Sequence, residues 1–316
     1  MATDPSQHQP VFPFIVGSGR SGTTLVRAIF SSHPDLAVCH ESHFIPHLAR
    51  RRYGQGASMN RERLLADLFA DPNFRRMGFS RDEVRAAIDP TSSYAEAVRR
   101  IFGLFAAHHG KPRYGDKTPN YVQHLPLLAR LFPEARFLHV IRDGRDVAAS
   151  LVEQRFGPES VGEAAIYWKK CVDRGRRAGF QLGPERYREV RYEDLIGDAE
   201  RIVSSLCSFF HLTFDERMLR YFEHSEDWIP ETKRARAHHQ NLVKPMTKGL
   251  RDWRQQMPAK EVALFEALAG ASLDAFGYTR AAGHPGLGTR RAAVSASYGW
   301  LLKRARNLAG RLRKRG

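Results

Sequence analysis

The chain has 316 residues, of which 42% are hydrophobic, and its mean hydropathy is −0.47. This composition is that of a globular protein large enough for one α/β domain with insertions, and no run of about 18 apolar residues predicts a membrane-spanning helix. The three cysteines lack paired or metal-type spacing, which excludes a disulfide framework and a zinc motif. With no leader-like pattern at the N-terminus, they favour a cytoplasmic protein.

The formal net charge of +16 is unevenly distributed. Ten Lys or Arg and no Asp or Glu lie between Arg280 and Gly316, so subtracting these ten leaves +6 on residues 1–279. A moderately basic body suits a small anionic ligand and does not by itself indicate nucleic-acid binding. We therefore expect a folded domain over 1–280 and a separate basic tail over 281–316.

The first predicted element is an apolar strand that runs into the turn GSGRSGTT. Gly17 and Gly22 keep the spacing of the phosphate loop G-x-x-x-x-G-K-[ST], but Thr23 stands at the position of its lysine. Helical apolar spacing follows over Ser21–Ser32, so the turn lies at a helix N-terminus, where backbone N–H groups and the helix dipole favour anions. This pattern indicates an anion held by amides, hydroxyls and Arg20 rather than a triphosphate held through magnesium.

Three further strands are predicted, and they span Leu36–Cys39, Arg136–Ile141 and Tyr187–Val190. The arginine-rich segment of about 47–110 has helical periodicity, which predicts a helical insertion. The sequence thus predicts an α/β, P-loop-like three-layer fold with a central parallel sheet, helices on both faces and this insertion. Because ligands bind beyond the carboxyl ends of parallel strands, Glu41, Arg142 and Tyr192 are expected to converge with the phosphate loop.

Two long motifs resemble those of sulfotransferases that use 3′-phosphoadenosine 5′-phosphosulfate (PAPS), in the branch similar to tyrosylprotein sulfotransferases and their bacterial relatives. GSGRSGTTLVRAIFSSHPDL with HESHFIP resembles the 5′-phosphosulfate loop and base segment, and LARLFPEARFLHVIRDGRDVAAS resembles the 3′-phosphate segment. Weaker agreement continues through YGDKTP, RYEDL and NLVKPMTKGLRDW, so the resemblance spans roughly residues 12–278. It implies metal-independent, in-line transfer of a sulfonate group from PAPS to an acceptor hydroxyl or amine.

The resemblance assigns the PAPS donor to residues of several motifs. The loop residues implied to hold the 5′-phosphosulfate are Arg20, Ser21, Gly22, Thr23 and Thr24. Arg142 and Ser150 are implied to grip the 3′-phosphate, for which the planar fork of arginine is suited. The alternative for Arg142 is an ion pair with a neighbouring aspartate. Tyr192 and Lys244 match positions that contact the nucleotide in the family.

Glu41 and His43 are competing candidates for the general base that takes the proton of the acceptor. Side chains alternate along an extended chain, so both would lie on one side. Glu41 is favoured, although other sulfotransferase branches use a histidine. The tyrosylprotein branch has an arginine at the position of His43, which argues against an acidic peptide as acceptor. Lys117 is implied to neutralise the leaving phosphate, with Arg20 as a second cation; an exposed loop lysine is the alternative.

Two other functions are open from the residues alone. A P-loop phosphotransferase of the nucleotide-kinase type would use the same loop but would lack its lysine. A basic membrane- or polyanion-binding module would use the tail, where apolar residues recur at helical spacing from Leu301 to Leu312. Residues 298–316 are compatible with peripheral membrane contact, and a helix docked on the domain and a solvated tail are equally open alternatives. The acceptor is expected to be a small molecule, glycan or lipid rather than a peptide.

Overall fold

The computed structural model describes residues 10–53, 59–154, 157–223, 244–246, 252–281, 283 and 285–313. Within them, five strands form one sheet in which all neighbours run parallel, in the order β2-β3-β1-β4-β5. The strands are β1 Phe12–Gly17, β2 Leu36–His40, β3 Arg113–Lys117, β4 Ala135–Ile141 and β5 Tyr187–Arg191. The predicted α/β fold with a central parallel sheet is confirmed.

The three strands predicted with bounds lie within one residue of them, and β1 lies where an apolar strand was predicted before the glycine-rich turn. β3 is the strand that sequence reasoning missed. Its sequence, RYGDK, has charged ends and a central glycine, so it lacks the apolar run by which the other strands are recognised. β3 inserts between β2 and β1, and Lys117 at its last position pairs in register with His40 and Ile15. Lys117 is therefore fully buried at the end of an inner strand, and the exposed-loop alternative is wrong.

Helices fill the connections between the strands. The first six α-helices are α1 Thr23–Ser31, α2 Phe44–Leu48, α3 Arg61–Ala70, α4 Pro72–Arg75, α5 Arg81–Ile88 and α6 Tyr94–His108. The remaining ones are α7 Leu125–Leu131, α8 Gly144–Val152, α9 Val161–Leu182, α10 Tyr192–Gly197, α11 Ala199–Phe209, α12 Trp253–Gln256, α13 Ala259–Ala275 and α14 Leu287–Arg313. A π-helical turn, Ala49–Tyr53, follows α2. The described part of the predicted insertion at 47–110 contains helices and no strand.

The chain packs as two units. The first unit holds the whole sheet and is formed by Met1–Gly17, Gly22–Ile141 and Gly175–Lys248. In its core, the ring of Phe14 stacks on two others, and its centroid lies 5.9 Å from that of Phe132 and 5.5 Å from that of Phe137. The second unit is formed by Ser18–Ser21, Arg142–Arg174 and Gly249–Gly316. Its core includes Trp168, whose ring lies 5.7 Å from that of Phe265.

Candidate active site

The turn after β1 leads into α1 through Gly22, which has a left-handed φ of 91°. A Cβ atom at this position would lie 2.3 Å from Cδ2 of Tyr192, the first residue of α10. Glycine is therefore required here both by the backbone angle and by the close approach of the ring. Among the described residues, no side chain caps the N-terminus of α1. This helix end presents backbone N–H groups of the kind that bind anions.

Four predicted site residues of the first unit form one cluster, in which Glu41 and Thr24 lie at the ammonium group of Lys117 and His43 contacts Glu41. Nζ of Lys117 donates to Oε1 of Glu41 at 2.7 Å and lies 3.5 Å from Oγ1 of Thr24, in the first turn of α1. The other carboxylate oxygen of Glu41 lies 3.3 Å from Nε2 of His43. The lysine that is missing from the phosphate loop is thus supplied beside that loop by β3.

The charges of this cluster depend strongly on one another. Burial acts to raise the pKa of Glu41, but the hydrogen bond from His43 and the ammonium group of Lys117 outweigh it and hold the pKa well below its usual value. Burial lowers the pKa of Lys117, and the carboxylate of Glu41 opposes that effect. Glu41 is therefore ionised at neutral pH and available to accept a proton.

Backbone strain is concentrated at the predicted site. The non-glycine residues with left-handed φ among those described are Arg20 (70°), Glu41 (44°), His43 (54°) and His211 (53°). Such conformations cost of order 1–3 kcal/mol each and persist only where the surroundings enforce them. The expectation that Glu41 and His43 share a side because the chain is extended is wrong in its premise, since both residues leave the extended region. Their side chains nevertheless lie in contact, with Nε2 of His43 3.3 Å from Oε2 of Glu41.

Hydrogen bonds from a neighbouring segment hold this strained turn. The N–H of Glu41 donates to the carbonyl of Lys117 at 2.8 Å. The hydroxyls of Ser42 and Tyr121 lie 2.8 Å apart, and the hydroxyl of Tyr121 also accepts from the N–H of Ile45 at 3.2 Å. Because these groups are buried, the turn and its two titratable side chains are fixed in place.

A second cluster forms in the second unit around the middle of the phosphate loop. The hydroxyls of Ser18 and Ser21 lie 2.5 Å apart and are buried. Nε of Arg20 donates to Oγ of Ser150 at 2.9 Å. The N–H of Gly19 donates to the hydroxyl of Tyr167 at 3.1 Å. The loop is thus held by one hydroxyl from α8 and one from α9.

Arg142 and Ser150, the predicted 3′-phosphate pair, have other partners in the structure. Arg142 donates through a terminal nitrogen to Oδ2 of Asp146 at 3.2 Å, the ion pair that the sequence left as an alternative. Asp146 also accepts from the N–H of Trp253 at 2.8 Å. Ser150 instead contacts Arg20, as described above. The carbonyl of Arg142 accepts from the indole N–H of Trp168 at 3.1 Å, which fixes the backbone directly after β4.

Lys244 is predicted to contact the nucleotide, and Tyr167 is not singled out in the sequence. Lys244 is exposed, and its carbonyl accepts from the hydroxyl of Tyr221 at 2.9 Å. Most of the motif NLVKPMTKGLRDW, residues 241–253, lies outside the described residues. Sequence reasoning missed Tyr167, because a tyrosine inside a long helix carries no motif and its position against Gly19 depends on the packing of α9.

The described ranges, 10–53, 59–154, 157–223, 244–246, 252–281, 283 and 285–313, also bear on metal binding and membrane insertion. No group of three or more His, Cys, Asp and Glu side chains in them is placed to hold a metal ion. None of the helices in them combines the length and the apolar character needed to cross a bilayer.

The model of the sulfotransferase family matches residues 13–216, a segment that includes every cluster described above except the contacts of Lys244 and Trp253. The chain belongs to the sulfotransferase family. The predicted resemblance is confirmed, and a nucleotide-kinase-like phosphotransferase is not favoured.

The sulfotransferase chain is similar to proteins from animals. It is 26% identical over 285 residues to a protein-tyrosine sulfotransferase of Drosophila melanogaster, covering 87% of this chain and 53% of that protein. It is 27% identical over 290 residues to protein-tyrosine sulfotransferase 1 of Mus musculus, covering 87% of this chain and 71% of that protein. The chain therefore spans about half the length of the Drosophila relative.

Solved structures show the same fold. The sulfotransferase domain of the Synechococcus olefin synthase superposes with a TM-score of 0.60 at 22% identity, over 88% of this chain and 99% of that domain. The sulfotransferase domain from the curacin biosynthetic pathway superposes with a TM-score of 0.57 at 19% identity, over 86% of this chain and 99% of that domain. Both domains share the fold of this chain.

Proposed function

We propose that this chain transfers a sulfonate group from PAPS to the hydroxyl or amine of an acceptor. The observation that supports this most directly is the position of the Lys117 ammonium, 2.7 Å from the Glu41 carboxylate and 3.5 Å from the Thr24 hydroxyl. A fixed cation is needed where negative charge develops on the leaving phosphate oxygen. A proton acceptor is needed where the acceptor attacks sulfur. Lys117 can supply this cation, and Glu41 can supply this proton acceptor.

In the proposed reaction, the acceptor oxygen or nitrogen forms a bond to sulfur while the bond from sulfur to the bridging phosphate oxygen breaks. The proton of the acceptor passes to Glu41, and 3′-phosphoadenosine 5′-phosphate leaves with the bridging electron pair. Lys117 starts in an ion pair with Glu41, which keeps the carboxylate a weak base. When the ammonium turns towards the leaving oxygen, Glu41 loses that cation and its pKa rises. Proton uptake is thereby coupled to the departure of the leaving group.

The nucleotide is proposed to bind through the phosphate loop and the residues after the strands. Ser21, Gly22, Thr23 and Thr24 contribute backbone N–H groups and hydroxyls at the start of α1, and Arg20 contributes its guanidinium group. Ser150 and Arg142 are proposed to bind the 3′-phosphate, which requires both to exchange their present partners. Tyr192 and Lys244 are proposed to contact the nucleotide. The proposal uses PAPS as co-substrate and no metal ion.

The acceptor is proposed to be a small molecule, a glycan or a lipid, contacted by the helical segment 47–110. Support for this position comes from α2, which begins directly after His43. The relatives named above are protein-tyrosine sulfotransferases, so a peptide tyrosine is the second acceptor class to test. A cytoplasmic location, with the basic C-terminal segment in peripheral contact with a membrane, is part of the proposal and agrees with three buried cysteines that form no disulfide with one another.

The experiment that tests this function has two arms. Calorimetric titration with 3′-phosphoadenosine 5′-phosphate and with its analogue lacking the 3′-phosphate is expected to show a difference of more than about tenfold, or roughly 1.4 kcal/mol. Incubation with labelled PAPS and fractionated acceptors is then expected to show transfer that Lys117→Met lowers about 10²- to 10³-fold. Lys111→Met is the control, because Lys111 binds backbone carbonyls outside the site. Equal affinity for the two nucleotides would reject the 3′-phosphate assignment, and full activity of Lys117→Met would reject the mechanism.

A further inference from the structure

The exposed apolar side chains of this protein are concentrated on α14. The structure describes seven large hydrophobic residues as exposed, and five of them belong to this helix. Their exposed fractions are 77% for Leu287, 70% for Val294, 63% for Tyr298, 56% for Leu301 and 40% for Leu302. Single exposed apolar residues are ordinary on a protein surface, but a contiguous row indicates an interaction surface.

These five residues lie on one face of the helix. At 3.6 residues per turn, the spacings of seven, four and three residues from Leu287 through Leu301 return to nearly the same direction, and all five fall within an arc of about 100°. The row from Leu287 to Leu302 is about 22 Å long at 1.5 Å per residue. We call this row the outer face of α14. It begins upstream of the segment 298–316, whose sequence is compatible with membrane contact.

The opposite face of α14 is docked within the second unit. A Cβ atom on Gly162 would lie 2.9 Å from that of Ala296, so this part of α9 packs closely against the helix. Nζ of Lys303 bonds Glu159 at 2.9 Å and Glu163 at 3.2 Å, and the ammonium of Lys170 lies 5.5 Å from the ring of Trp300. These contacts fix the rotation of the helix, and they leave the apolar row facing outward. One face of α14 therefore packs within the second unit, and its outer face is available to bind a partner.

Positive charge borders the outer face. The exposed arginines along it are Arg290, Arg291, Arg304 and Arg306. No Asp or Glu occurs between Arg280 and Gly316. An apolar row flanked by arginines matches a bilayer that offers both acyl chains and anionic headgroups.

We propose that the outer face of α14 docks on the surface of an anionic lipid bilayer, with Leu287, Val294 and Leu301 inserted at the headgroup boundary. A second copy of the chain is disfavoured as the occupant, because pairing two outer faces would bring like charges together. A nucleic acid would use the arginines and leave the apolar row exposed to water. The helix lies on the membrane rather than crossing it, since its other face holds the ion pairs of Lys303.

Vesicle sedimentation of the full chain tests this proposal, without nucleotide or acceptor, so that its outcome is separate from that of the sulfonate-transfer experiment. Phosphatidylcholine vesicles are compared with vesicles that contain phosphatidylglycerol. We expect binding to the anionic vesicles and at least about tenfold weaker binding of the double variant Val294→Asp with Leu301→Asp. Phe180→Asp is the matched control, since Phe180 is an apolar residue 91% exposed on α9, and this variant is expected to bind as the unaltered protein does.

The contribution of the arginine charges to vesicle binding can be measured separately. Removing one arginine charge, as in Arg291→Gln, is expected to weaken binding to anionic vesicles about fivefold, and added salt is expected to weaken it further. Thermal melts verify that each variant is folded. Absence of vesicle binding, equal binding to neutral and anionic vesicles, or binding that survives the double aspartate variant would each overturn the proposal. Concentration-dependent dimerisation abolished by the same variant would assign the outer face to a second copy instead.

Discussion

Glu41 lies between two groups that can each stabilise its charge, the ammonium of Lys117 and the imidazole of His43. An unpaired carboxylate beside a hydrophobic pocket is a stronger base than one held by a cation, because burial raises its pKa. In the structure the hydrogen bond from His43 and the charge of Lys117 together outweigh burial, and the pKa of Glu41 is well below its usual value. Glu41 is therefore ionised, and it becomes a stronger base when Lys117 moves to another partner.

Substitution at these two residues identifies the base. Glu41→Gln keeps the size of the side chain and removes proton acceptance, so we expect turnover to fall about 10²- to 10⁴-fold. His43→Asn removes one hydrogen bond to Glu41 and is expected to lower turnover much less. Single-turnover rates with saturating PAPS and the best acceptor found provide the measurement. Nucleotide affinity is measured alongside as the control for folding, and we expect both variants to keep it within about threefold. A larger loss for His43→Asn than for Glu41→Gln would make His43 the base.

At the scale of elements, the parts of the site that follow apolar strands could be predicted and those that depend on packing could not. Glu41, Arg142 and Tyr192 each come directly after a strand or one residue later, which the apolar pattern of those strands indicates. The strand that carries Lys117 has no such pattern, so its burial could not be predicted from periodicity. The contact of Arg20 with Ser150 joins segments 130 residues apart and depends on how α8 packs.

The turn between β1 and α1 offers a test in which strain and steric contact are separated. Gly22→Ala places a methyl group into the ring of Tyr192 and also forces alanine to a φ of 91°. Gly78→Ala imposes a φ of 83°, but no described atom lies within 4 Å of the added carbon. We expect Gly78→Ala to lower the free energy of unfolding by about 1–2 kcal/mol and to leave nucleotide binding unchanged.

For Gly22→Ala we expect a larger loss of stability than for Gly78→Ala and, in addition, at least about tenfold weaker binding of 3′-phosphoadenosine 5′-phosphate, because the ring of Tyr192 must move. Urea unfolding and calorimetric titration measure the two quantities. If both variants lose stability equally and bind nucleotide equally, the approach of Tyr192 to the loop has no functional role.

At the scale of the whole molecule, two fully buried titratable groups of the first unit shift in opposite ways. Burial raises the pKa of Asp116 to about 6, against the weaker opposing effect of the nearby Ser42 and Thr118 hydroxyls. Burial lowers the pKa of His139 to about 4, and its Nδ1 lies 2.6 Å from the hydroxyl of Tyr187. Asp116 directly precedes Lys117 in β3, and because its carboxylate is buried, its ionised form lowers the stability of the folded state.

These shifts have opposite signs in the dependence of stability on pH. Asp116 binds its proton more tightly in the folded state, so between its ordinary pKa of 3.8 and about 6 its contribution falls as the pH rises. His139 binds its proton more weakly in the folded state, so between about 4 and its ordinary 6.5 its contribution rises with pH. Each shift of about two pKa units corresponds to about 3 kcal/mol. The two effects nearly cancel between pH 4 and 6, and the curve of the unaltered protein is expected to be flat there.

Asp116→Asn is expected to reveal the pH dependence of stability that His139 contributes. Because asparagine mimics the protonated acid, the variant should be more stable than the unaltered protein by up to about 3 kcal/mol at pH 7 and no more stable below pH 4, so its stability rises steadily over pH 4 to 6.5. Urea unfolding at half-unit steps of pH measures this difference. Asp82→Asn is the matched control, since the side chain of Asp82 is 91% exposed and its loss should change stability by less than about 0.5 kcal/mol at every pH. A variant curve parallel to that of the unaltered protein would show that Asp116 is ionised at no cost in the folded state, and the predicted rise in its pKa would be wrong.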